Sequence, residues 1–202
     1  MKVSHEIMRM RSVRTRRHSK RSSIGSNIPD FAAAMVILVL VVFIPLLDLT
    51  ILPIRWMLAR EIINEYSRRL ALCETFSKAY KTMQADPSLA TRLLRLGGVE
   101  SKDISLRLRI SRVFITPRTD EHLFVYAPGR IPPAWLPGGE KSPCTYTLEL
   151  TVDTLISPAI LFSSKGVSVP GLTGPVPFRI GASHEWENLG RNPGTRAFYL
   201  NE

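Results

Sequence analysis

The chain has 202 residues, which leaves room for one ordinary domain and an anchor and excludes a large multidomain enzyme. Its residues are 45% hydrophobic and 22% charged, and this balance excludes a disordered chain, which would be poor in apolar residues and rich in charge. The formal net charge of +10 by itself suggests nucleic acid or an anionic membrane surface as a partner.

The positive charge is concentrated in residues 1–25, which contain many Lys and Arg and the single acid Glu6. An apolar stretch follows in residues 31–54, in which Asp48 is the one charged residue. As a helix this stretch would reach about 36 Å, enough to cross a hydrocarbon core of about 30 Å. The pattern predicts a transmembrane helix near the N-terminus.

The basic segment 1–25 is interpreted as a topology signal, because Lys and Arg beside a span keep that side in the cytoplasm. The C-terminal part is then expected outside the inner membrane, in the periplasm or beyond. Arg55, Arg60, Arg68 and Arg69 follow the span and weaken the asymmetry without reversing it. A DNA-binding arm is a more distant alternative, and we expect no nucleic-acid partner.

The junction between the basic segment and the apolar stretch reads GSNIPDF over residues 25–31. It resembles the type IV prepilin signal, in which cleavage follows a Gly and an acid stands fifth in the mature chain. Cleavage after Gly25 would make Ser26 the first residue, Asp30 the fifth and Phe31 the sixth. The alternative is that Pro29 and Asp30 merely start a helix, where both residue types are favoured.

The opening as a whole is most similar to the TadE-like pseudopilins, or minor pilins, of the tight-adherence (Flp) pilus. These have an apolar span with a Pro and a second acid near its end, which fall here on Pro45 and Asp48. The resemblance covers residues 17 to about 85. It implies processing by a prepilin peptidase, pairing of Asp30 with the freed α-amine, and partners among other pilin-like subunits and the pilus assembly platform. The alternative for Asp48 is a position near Trp56 at the outward-facing edge of the membrane that the helix crosses.

Beyond the span, apolar residues recur at helical spacing in Ile62, Tyr66, Leu70, Cys73, Phe76, Tyr80 and Met83. The spacing predicts one continuous amphipathic helix as far as the turn at residues 86–87. A second short helix is predicted over residues 88–96, ended by Gly97 and Gly98.

Alternating patterns after residue 104 predict strands over residues 104–110, 146–152 and 178–184, with a short one at 122–126. Strands of this kind are covered on one face only, and the apolar stripe of the helix is the expected cover. We therefore expect an α+β, pilin-like fold in which a long N-terminal helix packs on a small antiparallel sheet. The predicted divisions are a basic cytoplasmic leader at 1–25, a transmembrane helix at 26–55, an amphipathic helical stalk at 56–97 and an extracytoplasmic β-rich domain at 98–202.

Both cysteines, Cys73 and Cys144, are expected on the oxidising side of the membrane, where a disulfide between them is possible. The alternative is a buried free Cys73 and an unrelated loop thiol. Catalytic patterns are poor, because the segment around His184 lacks the two-histidine zinc pattern and no phosphate-binding glycine loop occurs. We expect no enzyme, no cofactor and no metal.

Two functional classes remain from the sequence. The first is a pilin-like subunit that is drawn from the membrane into a pilus or secretion fibre. The second is an unprocessed, signal-anchored envelope protein whose outer domain binds a partner. The retention or loss of residues 1–25 distinguishes the two.

Overall fold

The computed structural model describes residues 27–113, 121–160, 170–171 and 173–202. The described chain begins at Asn27 with a long continuous helix, whose part Pro29–Ala71 has 43 residues and is about 64 Å long at the usual helical rise. It comprises α1 (Asn27–Leu38), a π-helical turn (Val39–Phe43) and α2 (Ile44–Ala71). Two shorter helices follow, α3 (Phe76–Ala85) and α4 (Ser88–Arg95).

The π-helical turn lies directly before Pro45. Proline has no backbone N–H, and its ring clashes with the carbonyl four residues earlier, so a regular turn cannot continue through it. The chain widens instead, and the Ile44 N–H bonds to the carbonyl of Val39, five residues back. Wide turns of this kind interrupt α-helices without ending them.

Within the described residues, four strands form one antiparallel sheet in the order β2-β1-β3-β4. They are β1 (Val99–Arg112), β2 (His122–Val125), β3 (Cys144–Ile156) and β4 (Val176–Glu185). Leu106 pairs with Leu150, and Leu150 pairs with Ala182, so the predicted apolar positions of three strands share one face. The α+β class and the antiparallel sheet expected from the sequence are confirmed.

The long helix packs its inner stripe on this apolar face. Ala59, Ile63, Tyr66 and Leu70 are buried at spacings of three and four, which keeps them on one side of the helix. They lie mainly over β3 and β4, while α4 lies against β1. The opposite face of the sheet carries charged pairs such as Asp153 with Arg179, as expected for a face in water.

One expectation is corrected, because the amphipathic helix is not continuous to residue 83. It ends at Ala71, and the chain turns before α3 begins at Phe76. The Thr75 hydroxyl accepts the N–H of Lys78 at 3.1 Å, which is a standard N-terminal cap. The Asn188 side-chain amide donates to the carbonyl of Glu74 at 2.7 Å, so the turn is held by the segment that follows β4.

The short helix expected over residues 88–96 is confirmed as α4. Asp86 accepts both the N–H and the hydroxyl of Ser88, at 2.9 and 2.7 Å, and this turn leads the chain into the helix. Gly97 and Gly98 follow it with φ of 70° and 82°, a conformation that favours glycine.

Candidate functional site

The predicted cleavage and pairing residues lie at the start of the long helix. Asp30 lies exposed in the first turn of α1, where a negative charge is favoured by the helix dipole. Phe31 beside it is 66% exposed. Gly25 and Ser26 lie outside the described residues, so the pairing of Asp30 with a Ser26 α-amine stays a prediction.

The first half of the helix has an apolar side chain exposed on every face. The exposed large residues before Asp48 are Phe31, Met35, Val36, Ile37, Leu38, Val39, Leu40, Val41, Val42, Phe43, Leu46 and Leu47. A helix that is apolar all round suits a hydrocarbon environment, where its backbone groups are satisfied internally. In the described part of the chain this is the one helix long and apolar enough to cross a membrane.

Asp48 joins this helix to the segment that follows β3. Its side chain is 1% exposed, and its Oδ1 atom accepts the backbone N–H of Ala159 at 2.7 Å and that of Ile160 at 3.3 Å. The Oδ2 atom has no hydrogen-bond partner within the described residues. The resemblance matches Asp48 to the second acid of a pilin-like span, and that role stays a prediction; in the structure its hydrogen-bond donors lie in the segment that follows β3.

Arg55 lies seven residues after Asp48 on the same side of α2. Its guanidinium donates to the carbonyl of Ser157, and it passes so close to Gly98 that a Cβ there would lie 2.9 Å from the Arg55 Nη1 atom. Asp48 therefore binds backbone donors, and Arg55 binds a backbone acceptor, of one turn at residues 157–160. We call this turn, with Asp48 and Arg55, the helix clamp.

A groove of about 530 Å³ lies beside the clamp, between α2 and β4. Trp56, Met57 and Arg60 contribute from the helix, and Gly181 and Ser183 from the strand. The Trp186 N–H donates to the carbonyl of Tyr146, and hydrogen-bonded pairs alternate along an antiparallel ladder. The backbone groups of Gly181 and Ser183 therefore point away from β3 and toward the outer edge of the sheet.

The possible disulfide is not formed in the structure. Cys73 and Cys144 are free thiols, and their sulfur atoms lie against different carbonyls, those of Arg69 and Lys141. Burial raises the pKa of both thiols, which keeps them protonated and slow to react at neutral pH.

In the part of the chain that the structure describes, the remaining groups with a shifted pKa lie apart from one another. Burial raises the pKa of Tyr146 to about 12, and its hydroxyl donates to the carbonyl of Trp135 at 2.9 Å. On the surface, a hydrogen bond from Arg92 lowers the pKa of Glu65. Within the described residues no three His, Cys, Asp or Glu side chains lie close enough together to hold a metal ion.

No protein-family model, curated protein or solved structure matches the chain. The candidate site consists of the apolar helix, its exposed Asp30 and the helix clamp. Sequence reasoning missed Arg55 and the turn at 157–160. One signal was available, since Arg55 is the first charge after Asp48 and lies two helical turns from it.

Proposed function

We propose that the chain is a pilin-like (TadE-like) pseudopilin or minor pilus subunit, anchored in the bacterial inner membrane. It acts in assembly of a tight-adherence type pilus or a related secretion fibre, by a role in adhesion or secretion and not by catalysis. The observation that carries the proposal is the long helix itself. Its first half is exposed and apolar all round, and its second half packs on an antiparallel sheet without interruption.

The shape of the helix supports this role because a subunit must leave the bilayer as one body. Every described side chain from residue 29 to residue 43 is exposed, so this half can exchange lipid for neighbouring helices. The packed half keeps the outer domain attached during that exchange. Asp30 at the exposed head provides a charge that a neighbouring α-amine can meet.

An unprocessed signal-anchored envelope protein is the second candidate. The edge of β4 favours it, since Gly181 and Ser183 direct backbone groups into the groove beside Trp56. An extended segment of a partner protein can add to such an edge as a further strand. In this case residues 1–25 stay attached and hold the N-terminus in the cytoplasm.

The first experiment compares the N-terminus of membrane-extracted wild type with that of Gly25→Leu and Ser26→Ala. A bulky side chain at position 25 obstructs the bond to be cut, whereas Ser26→Ala leaves the Gly25 side unchanged. We expect a mature start at residue 26 in wild type and Ser26→Ala, and full-length precursor in Gly25→Leu. Retention of residues 1–25 in the wild-type protein, in cells that contain a prepilin peptidase, would favour the second candidate.

The second experiment separates membrane insertion from assembly. Asp30→Ala removes the carboxylate, and Asp30→Glu keeps it one methylene further out. Both variants should insert, because the apolar residues 31–43 are unchanged, but only Asp30→Glu should enter the fibre or its assembly platform. Normal incorporation of Asp30→Ala, measured by crosslinking to neighbouring subunits, would remove Asp30 from the assembly site.

A further inference from the structure

The distance of the helix clamp from the start of the apolar helix can be compared with the thickness of a bilayer. From Phe31 to Asp48 the helix rises about 26 Å, and a hydrocarbon core is about 30 Å thick. If the core begins at Phe31, Asp48 still lies inside its outer boundary. Placing the helix further outward would draw Asp30 into hydrocarbon, which is costly for a carboxylate, and tilting the helix lowers Asp48 further.

The exposed surface at this height is apolar. Leu46, Leu47 and Leu49 are 58%, 52% and 68% exposed on the helix, and Ile160 is 40% exposed on the turn that Asp48 binds. Thr50 is exposed beside these leucines, and its hydroxyl donates to the carbonyl of Leu46 at 3.0 Å. A hydroxyl satisfied by its own helix is compatible with an apolar environment.

The next turns of the helix have the composition of a membrane interface. Arg55 is the first basic side chain after the apolar run, and the Arg60 guanidinium lies 5.5 Å from the ring centre of Trp56. Tryptophan and basic residues gather at the level of lipid headgroups. Trp56 is about 38 Å from Phe31 along the helix, which is about 8 Å beyond a hydrocarbon core of about 30 Å and therefore in the outer headgroup region.

We infer that the outer domain rests directly on the outer surface of the bilayer, with the turn at 157–160 entering the boundary between headgroups and acyl chains beside the helix. The partner of this surface is lipid. Asp48 acts as a positioning residue, because its bonds to Ala159 and Ile160 fix the turn at this depth. The inference rests on the membrane span of the proposed function, but not on cleavage after Gly25 or on any fibre.

This position of the domain against the bilayer differs from the stalk expected over residues 56–97, which would hold the β-rich domain away from lipid. In the structure the domain contacts the helix from Asp48 onward. A domain seated this way has one orientation relative to the membrane, set by two attachments, the span and the turn. Its groove beside Trp56 then opens at the headgroup level.

The test uses the full-length protein, one copy per nanodisc, with both native cysteines replaced by alanine. A polarity-sensitive fluorophore is attached in turn at Val41→Cys, Leu49→Cys, Ile160→Cys and Leu72→Cys. Val41 lies in mid-helix, Leu49 shares the height of the clamp, and Leu72 is 65% exposed at the far end of α2. Circular dichroism of each labelled protein verifies that the helix and sheet are intact. Quenching is measured with lipids carrying a nitroxide either near the headgroup or deep in the acyl chain.

We expect Ile160→Cys and Leu49→Cys to show the same blue-shifted emission and strongest quenching by the headgroup-proximal nitroxide. Val41→Cys should respond most to the deep nitroxide, and Leu72→Cys to neither. The inference would be overturned, and the span left intact, if lipid nitroxides quench the fluorophore at Val41 and Leu49 but quench it at Ile160 as weakly as at Leu72. A blue shift at Ile160 that no lipid nitroxide quenches would assign the turn to a protein contact and also overturn it. Absence of quenching at Val41 would instead overturn the span, and the proposed anchoring with it.

Discussion

At the scale of single residues, Asp48 shows how an acid can stand in an apolar helix. An isolated carboxylate is expensive to bury, but one that accepts hydrogen bonds from backbone N–H groups is partly compensated. Here Ala159 and Ile160 supply those donors. The same bonds attach the exit of β3 to α2, so the residue that would weaken the span also joins it to the domain.

Replacing Asp48 separates its hydrogen bonds from its charge. Asp48→Leu leaves two backbone N–H groups without an acceptor and should lower the free energy of unfolding of the domain by about 2 kcal/mol. Asp48→Asn keeps an acceptor oxygen and should lose less than half of that. Denaturant unfolding in detergent micelles, followed by the circular dichroism of the sheet, provides the measurement. Equal losses in both variants would show that the charge, and not the acceptor, carries the contact.

Tyr146 predicts a dependence of stability on alkaline pH. Because its folded pKa is raised from 10.0 to about 12 by burial, the native state holds the proton more tightly than the unfolded chain. Its contribution is fully present below pH 10 and is lost as pH rises toward about 12. Tyr146→Phe should lose about 1 kcal/mol at pH 8 with the hydrogen bond to Trp135, but should fall less steeply above pH 10. Parallel curves for the two proteins between pH 8 and 12 would contradict this assignment.

At the scale of elements, the end of α2 is decided by contacts distant in sequence. Residues 70–76 contain no Gly or Pro, so local signals predicted that the helix continues. The turn brings Phe76, which is 1% exposed, against Trp186 at a ring-centre distance of 6.5 Å and an interplanar angle of 81°. Edge-to-face aromatic packing and the cap at Thr75 compensate the hydrogen bonds that a longer helix would have made.

The packing of Phe76 can be tested by comparison with Leu72, a nearby side chain that is largely exposed. Phe76→Ala should cost about 3–5 kcal/mol, because it removes a fully buried ring and leaves a cavity beside Trp186. Leu72→Ala, at an exposed position four residues earlier, should change the free energy of unfolding by less than about 0.5 kcal/mol. Thermal or denaturant unfolding of both variants gives the comparison. A small effect of Phe76→Ala would mean that the ring does not hold α3 to the sheet.

At the scale of the whole molecule, the domain packs further along the helix toward its apolar half than the sequence indicated. The sequence divided the chain between residues 55 and 56, whereas Asp48, Leu52 and Arg55 already contact the domain. The apolar periodicity of the span hides this boundary, because residues that face lipid and residues that face a protein core are chemically alike.

Two truncated chains test where the domain begins. A chain of residues 44–202 keeps the helix clamp and should unfold at the same temperature as the domain in the full-length protein. A chain of residues 56–202 lacks Asp48, Leu52 and Arg55 and should unfold at a lower temperature, by about 2–8 °C for a loss of about 1–2 kcal/mol in a domain of about 150 residues. Circular dichroism melts in the same detergent provide the measurement. Identical melting temperatures of the two truncated chains would place the start of the domain at residue 56.

Much of the architecture was determined by local patterns. A long apolar run predicts a span because backbone groups in lipid must be satisfied within the helix, and alternation over residues 104–110, 146–152 and 178–184 predicts strands covered on one face. Those patterns repeat over many residues, so single exceptions do not change them. The α+β class, the four strands and the short helix α4 could therefore be predicted from the sequence.

Only the tertiary structure decided the contacts between segments that are far apart in sequence. Asp48 is separated from Ala159 by 111 residues, and Arg55 from Ser157 by 102, and neither partner is a side chain that a motif could reveal. The end of α2 likewise depends on Trp186 and Asn188. Backbone acceptors and donors are the same in every residue, so a sequence shows that Asp48 needs a partner, whereas the folded chain alone selects which peptide groups satisfy it.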